Sequence, residues 1–95
     1  MKTPSDLKPG DKCYLVSRDW KCTILNVREV DGRDGHSHWI NFVEPIRGVF
    51  CPHDVKEFVR VYPGGTLFFD KERVLTYMNQ KLNKIKRDIA KIEKS

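Results

Sequence analysis

The sequence predicts a mainly β domain that ends in one long amphipathic helix, an α+β arrangement with a small barrel ahead of the helix. Between residues 11 and 69, short runs of β-branched and aromatic residues alternate with Gly, Pro and Asp turns. This pattern is typical of a small barrel or a strongly bent sheet. Residues 71–95 contain no Gly or Pro. A chain of 95 residues is one domain by size, so we expect a loose arm over 1–10, the barrel over 11–69 and the helix over 70–95.

Successive strands and turns make up the predicted barrel. Strands are expected over residues 12–17, 20–30, 36–43, 48–51 and 66–69, while 55–62 fits a strand or a helical turn poorly. Arg18-Asp19 is placed in a tight turn. Two Asp-Gly pairs within residues 31–35 supply the positive φ angles that a hairpin loop needs. Pro63-Gly64-Gly65 suits a type II turn with glycine at the positive-φ position.

The C-terminal segment carries an uninterrupted heptad pattern after Asp70, a good N-cap residue. Apolar residues recur there at intervals of three and four, and we call this row the seam: Leu75, Met78, Leu82, Ile85, Ile89 and Ile92. Such spacing is typical of a coiled-coil helix. Residues 71–94 would span about 36 Å as a helix, whereas a barrel of this size is only roughly 20–25 Å across. We therefore expect the distal seam to project and to need a cover, either a second copy or another protein.

Charges beside the seam favour one direction of self-association. In a parallel pair, Lys81 would face Lys86 of the other helix and Asp88 would face Glu93. In an antiparallel pair, Lys81 can meet Asp88 instead. Exposed pairs contribute only a few tenths of a kcal/mol each, so they bias the choice toward the antiparallel dimer without making it stable by themselves.

The net charge of +5 is concentrated in the helix. Residues 1–70 hold ten basic and ten acidic residues, whereas residues 71–95 hold eight basic and three acidic ones. We call four of the basic residues the basic row, spaced three, four and three apart and expected to lie alongside the seam: Lys84, Arg87, Lys91 and Lys94. A cationic segment on a neutral body attracts polyanions or acidic protein surfaces. Simple solvation of the helix is the commoner use of such a row, and nucleic-acid contact is the main functional alternative.

Three cysteines without a signal sequence argue against a disulfide framework, and buried free thiols are the favoured interpretation. Zinc-type ligands occur as Cys13, Cys22, Cys51, His36, His38 and His53. Their spacing matches no zinc knuckle, and a Cys51–His53 thiolate–imidazole pair has little room for a cleft in so short a chain. We predict no metal, no cofactor and no catalytic residue.

Exposed aromatic residues on a small barrel can stack nucleic-acid bases. The candidates are Tyr14, Trp20 and Trp39. Core packing is the commoner role of tryptophan in so small a domain, and the neutral sheet half is a poor platform for phosphates.

Three segments, residues 8–16 (KPGDKCYLV), 23–27 (TILNV) and 67–73 (LFFDKER), resemble small bacteriophage and prophage proteins with an SH3-like barrel. The resemblance covers the two ends of the fold and departs in the long heptad helix and around residues 36–38 and 51–53. It implies an SH3-like barrel, a mobile-element origin and a binding role, with no shared activity to carry over.

These observations predict a non-enzymatic binding module that engages a protein partner through Leu82, Ile85, Ile89, Ile92 and the basic row, in one version as an inhibitor of a host or defence enzyme. The alternative is a nucleic-acid-binding protein that contacts phosphates through the basic helix. A zinc-dependent or cysteine enzyme is a third hypothesis and would need a bound metal or a low thiol pKa at Cys51. We expect a cytoplasmic location, or equally a nucleoid- or nucleus-associated one, since no apolar run approaches the ~18 residues of a membrane span and the N-terminus lacks the apolar region of a signal peptide. We expect no membrane partner and no small-molecule substrate.

Overall fold

Six antiparallel strands form a nearly closed barrel that is followed by one C-terminal helix, which confirms the predicted fold class. The structure is a computed structural model described over residues 3–32, 37–52, 54–55, 57–61 and 64–95. The strands are β1 (Lys12–Val16), β2 (Cys22–Asp31), β3 (Ser37–Phe42), β4 (Val49–Pro52), β5 (Phe58–Val61) and β6 (Gly65–Phe68), and the helix is α1 (Lys71–Lys94). A short 3-10 turn, Pro4–Asp6, precedes β1.

The strand order is β4-β3-β2-β1-β6-β5. Strands β1 to β4 follow one another as a meander, and β6 returns to pair with β1, so β4 and β5 are the two edges of the sheet. Strands β2 and β3 pair as the predicted hairpin, with Asp31 opposite Trp39, while residues 33–36 of its loop lie outside the described residues. Gly64 has a φ of 144°, as expected for the glycine of the second turn, whose Pro63 also lies outside them.

Side-chain alternation along β1 divides the apolar residues between two clusters. Cys13 joins the main core inside the barrel, where Leu25, Ile40 and Leu67 are almost fully buried. Val16, on the other face, joins a second cluster under the helix with Phe68, Val74 and Tyr77. The division follows from the period of two along a strand, which sends successive side chains to opposite faces.

The N-terminal arm is packed, contrary to the expectation of a loose segment. Leu7 is 6% exposed and belongs to the main core. The backbone N–H of Thr3 donates to Asp6 Oδ2 over 3.1 Å, and the N–H of Gly10 donates to the carbonyl oxygen of Val27 over 2.9 Å. One buried apolar side chain and these local hydrogen bonds hold residues 3–10 against the barrel.

Trp20 lies in a loop, whereas the sequence predicts it at the start of the second strand. Val16 pairs with Cys22, so residues 17–21 form the connection, closed by the Ser17 N–H donating to the Lys21 carbonyl over 2.9 Å. Trp20 has a φ of 66°, an uncommon conformation for a bulky residue. The same register places Cys13 opposite Leu25, so Cys13 and Cys22 do not face each other.

Helix α1 begins after Asp70, whose backbone is extended but whose carboxylate makes no capping hydrogen bond. The radius of gyration is 15.6 Å, compared with about 12 Å expected for a compact chain of this length. The molecule measures 56 × 26 × 22 Å, because the helix extends well beyond the barrel. Within the described residues, no helix combines the length and the apolar character that crossing a membrane requires.

Candidate functional site

The first three turns of α1 anchor the helix to the barrel. Val74 is buried against Val16 and Phe68. The ring of Tyr77 lies 4.9 Å from the ring of Phe68 and 5.1 Å from the indole of Trp20, centroid to centroid. At the edge of this contact, Lys81 Nζ lies 5.1 Å above the Trp20 ring, within the range of a cation–π interaction.

A second anchor is polar. Arg73 on the first turn of α1 forms an ion pair with Glu57, just ahead of β5. Glu57 therefore joins the helix to an edge strand, whereas Trp20 joins it to the β1–β2 loop. Both anchors act on residues 73–81, and neither reaches the distal half of the helix.

Beyond Lys81 every residue of α1 is exposed. The apolar side chains of this part are 46%, 43%, 48% and 72% exposed at Leu82, Ile85, Ile89 and Ile92. Thirteen residues from Leu82 to Lys94 correspond to about 20 Å of helix. The structure thus presents a projecting helix with an open apolar seam, as the length argument had predicted.

The seam and the basic row lie on nearly opposite sides of α1. At 100° per residue, the row of Lys84, Arg87, Lys91 and Lys94 is centred about 160° around the axis from the distal seam. We had expected the two rows side by side. Spacing of three and four shows that the residues of one row share a face of the helix. The angular offset between two rows decides whether they lie side by side or on opposite faces. Here a partner that packs along the seam leaves the basic row in solvent.

Residues of mixed charge border the seam instead. Lys81 and Asp88 lie on one side of it, and Lys86 and Glu93 lie on the other. No ion pair involves the four lysines and arginines of the basic row within the described part of the chain. The helix therefore offers two separate surfaces, one apolar with mixed flanks and one cationic.

The three aromatic candidates for base stacking lie in different environments. Trp20 is stacked under the helix on Tyr77, and Tyr14 packs against the second cluster beside Phe68. Only Trp39 of the three is an exposed side chain, at 41%. Tyr14 and Trp20 therefore pack in the contact between helix and barrel.

Trp39 borders a cleft that sequence reasoning missed. Phe50 on β4 packs edge-on against Trp39 with ring centroids 5.7 Å apart, and it is 49% exposed. The cleft has a volume of about 530 Å³ and is lined by Trp39, Arg47, Gly48, Val49, Phe50, Arg60 and Val61. These residues come from the two edge strands and the loop before β4, so only the closure of the barrel brings them together.

A second cavity of about 330 Å³ lies between the β1–β2 loop and β6. Leu15 and Val61 form an apolar floor, and Arg18 and Asp19 stand at the rim. The guanidinium of Arg18 lies so close to Gly64 that a Cβ there would collide with it. Ser17 also lines this cavity, and its hydroxyl donates a hydrogen bond to the carboxylate of Asp19. No histidine or cysteine occurs among the lining residues that the structure describes.

The three cysteines lie in different environments. Burial, with the charge of Asp54 as a second cause, raises the pKa of Cys51 to about 11, which is the opposite of the activation that a nucleophile needs. Cys51 lies opposite His38 on β3, while His36 and His53 lie outside the described residues. Among the residues that the structure describes, no group of three His, Cys, Asp or Glu could hold a metal ion. Cys13 and Cys51 are buried as expected, whereas Cys22 is exposed, which corrects the expectation of three buried thiols.

Comparisons of the chain with protein-family models, with curated proteins and with solved structures found no match.

Proposed function

We propose that this chain is a non-enzymatic binding module whose projecting helix pairs with a helix of a protein partner along the seam. The observation that carries this proposal is the exposure of Leu82, Ile85, Ile89 and Ile92 on a helix that continues for about 20 Å past its last barrel contact. The anchors at Tyr77 and Arg73 hold the base of the helix. The barrel serves as the mount from which the helix is presented.

The energetics favour a modest interaction. Burying a fully exposed Ile or Leu side chain contributes roughly 1.5–3 kcal/mol, so a side chain that is about half exposed contributes about 1 kcal/mol. Four such residues on each of two helices contribute about 8 kcal/mol in a symmetric pair, against an association cost estimated at 4–15 kcal/mol. The seam alone therefore supports a weak pair, and contacts with the barrels or with a larger partner surface would strengthen it.

The charges beside the seam favour a second copy in the antiparallel direction. When Leu82 packs on Ile85 of the other helix, Lys81 lies beside Asp88 of that helix twice in the pair. The same alignment brings Glu93 near Glu72 twice. Two favourable and two unfavourable pairs compare with four like-charge pairs in the parallel arrangement, so the antiparallel dimer is preferred by a few tenths of a kcal/mol per pair.

Nucleic-acid binding through the basic row is the second candidate function. The row is exposed, has no ion pairs within the described residues and lies opposite the seam. Contacts from Lys84, Arg87, Lys91 and Lys94 would go to phosphates and would carry little sequence preference. Because the two surfaces are separate, substitutions in the seam and substitutions in the basic row can each remove one function and leave the other intact.

Light scattering coupled to size exclusion tests the proposal on the full chain. We expect a concentration-dependent dimer that the double change Ile85→Ser and Ile89→Ser converts to a monomer. Val43→Ser with Ile46→Ser is the matched control, because it removes apolar side chains from the barrel that are at least about as exposed as the two isoleucines. Lys84→Glu, Arg87→Glu and Lys91→Glu should leave the dimer intact and weaken any binding to phosphates.

Three outcomes are informative. A dimer that both serine pairs weaken equally would show that the seam has no special role. A wild-type monomer at all concentrations would remove the second copy as partner and leave a helix of a different protein. Inhibition of a host or defence enzyme belongs to this case. If seam and basic-row variants both leave every detected interaction unchanged, the helix is not the binding surface.

A further inference from the structure

The strongest unassigned site is the cleft where the barrel fails to close. Strand order makes β4 and β5 the two edges of the sheet, and the cleft of about 530 Å³ has Val49 and Phe50 on one side and Arg60 and Val61 on the other. Its volume lies in the range of small-ligand sites. The helix seam and the basic row play no part in it.

Two exposed aromatic rings form one wall. Trp39 and Phe50 are cross-strand partners on β3 and β4, 41% and 49% exposed, with ring planes at 68°. Their register position places both rings on the outer face of the sheet. Packing of the barrel core does not require aromatic residues at these two positions. An exposed aromatic pair beside a cleft is typical of a surface on which a ligand stacks.

Two arginines supply the charge. Arg47 precedes β4 and Arg60 lies on β5, and both line the cleft. Neither forms an ion pair within the part of the chain that the structure describes. Gly48 allows the Arg47 loop to lie against β3, since a Cβ there would come within 2.6 Å of Asn41 Oδ1.

We propose that this cleft binds single-stranded nucleic acid, with a base stacked on Trp39 or Phe50 and phosphates held by Arg47 and Arg60. Aromatic rings combined with a cationic groove are the chemistry by which small barrels hold single strands, and guanidinium groups match phosphate oxygens in a bidentate geometry. The proposal does not depend on the helix function.

The arrangement favours a single strand over the other polyanions. In a duplex the bases are stacked on each other and cannot reach the rings of Trp39 and Phe50. An acidic peptide would satisfy the arginines but would leave the ring faces without a flat partner. The register places Asp31 opposite Trp39 on β2, on the side away from β4, so this carboxylate lies across the tryptophan from the edge where the cleft opens.

Fluorescence anisotropy with a labelled oligothymidylate of about twelve nucleotides tests the site on the full chain. Trp39→Ala should weaken binding by about fivefold to a hundredfold, the effect of losing one base stack, while Trp39→Phe should retain most of the affinity. Phe58→Ala is the matched control, because Phe58 is 42% exposed and lies outside the cleft. Circular dichroism and thermal melting should show that all variants are folded.

The salt dependence of oligothymidylate affinity separates the contribution of Arg47 and Arg60 from that of the positive charge elsewhere on the protein. Replacing Arg47 and Arg60 by Gln should lower the slope of log affinity against log salt by about 1.4, or 0.7 for each lost phosphate contact on a single strand. The helix variant Lys84→Gln, Arg87→Gln and Lys91→Gln serves as the comparison and should leave the sensitivity to Trp39→Ala unchanged.

Four results would overturn the proposal. They are an absence of oligothymidylate binding at low salt, equal weakening by Trp39→Ala and Phe58→Ala, loss of binding in the helix variant alone, and tighter binding of a matched duplex that Trp39→Ala does not affect. Binding of polyglutamate that requires Trp39, with no binding of the oligothymidylate, would instead assign the cleft to an acidic peptide.

Discussion

The indole of Trp20 stacks on the ring of Tyr77 with centroids 5.1 Å apart and planes inclined at 24°. This contact joins the β1–β2 loop to the second turn of α1. A φ of 66° at Trp20 costs of the order of 1–3 kcal/mol, which the stack and the Lys81 ammonium above the ring offset. The pair therefore determines where the helix leaves the barrel, while the seam residue Leu75 is exposed even within the anchored part.

Removing the ring of Tyr77 should loosen the helix. Tyr77→Ala abolishes the stack on Trp20 and the contact with Phe68, and we expect a loss of about 2–3 kcal/mol in the free energy of unfolding, measured by urea denaturation. Tyr77→Phe is the control, because it retains the ring. Equal destabilisation by the two changes would mean that the hydroxyl, and not the stack, holds the helix.

The N-terminal segment should be part of the cooperative unit. Leu7 is buried in the main core, so Leu7→Ala should lower the free energy of unfolding by about 2–4 kcal/mol. Lys8→Ala, at an exposed neighbour, should change it by less than about 0.5 kcal/mol. A loose arm would instead make both substitutions neutral in the same denaturation experiment.

Acid should weaken the attachment of the β3–β4 loop. Glu44 accepts the Asn26 backbone N–H over 2.6 Å and its side-chain amide over 3.1 Å, and these bonds lower the pKa of Glu44. A carboxyl with a lowered folded-state pKa stabilises the fold above its unfolded pKa and loses that stabilisation as the pH falls through the folded one.

The corresponding measurement is the melting temperature between neutral pH and about pH 3. Glu44→Gln should lower it at neutral pH and flatten its fall in acid, whereas Glu93→Gln at the exposed helix end should leave the profile unchanged. If the Glu44→Gln and wild-type profiles ran parallel, the Asn26–Glu44 bonds would not be the source of the acid sensitivity.

The three thiols should react at very different rates. With a pKa of about 11, Cys51 is about 0.1% thiolate at pH 8, and Cys13 is buried as well. Exposed Cys22 should therefore be the one fast thiol toward an aromatic disulfide reagent, with the other two reacting after denaturation. Cys22→Ser should abolish the fast phase, and a fast phase that persists in this variant would place a reactive thiol in the interior.

Local patterns predicted much of the fold but less of the candidate sites. The strand runs, the β2–β3 hairpin and the seam depend on neighbouring residues and on periods of two or 3.6, so they can be recognised without tertiary contacts. The loop position of Trp20 could not be predicted in this way, because its ring stacks on Tyr77, which lies far along the chain. Likewise, no local pattern shows whether Leu7 is buried in the core or lies in a loose N-terminal arm.

The sequence by itself determined a mainly β domain, a long helix, a charge excess confined to that helix and an apolar seam along it, because composition and periodicity are properties of the chain alone. The tertiary structure decided which seam residues are covered, since Met78 packs against the second cluster whereas Leu75 and the seam residues from Leu82 onward are exposed. It also formed the cleft, because Arg47 and Arg60 line one site only when the edge strands β4 and β5 approach each other. Contacts between distant segments depend on register and closure, which no local pattern contains.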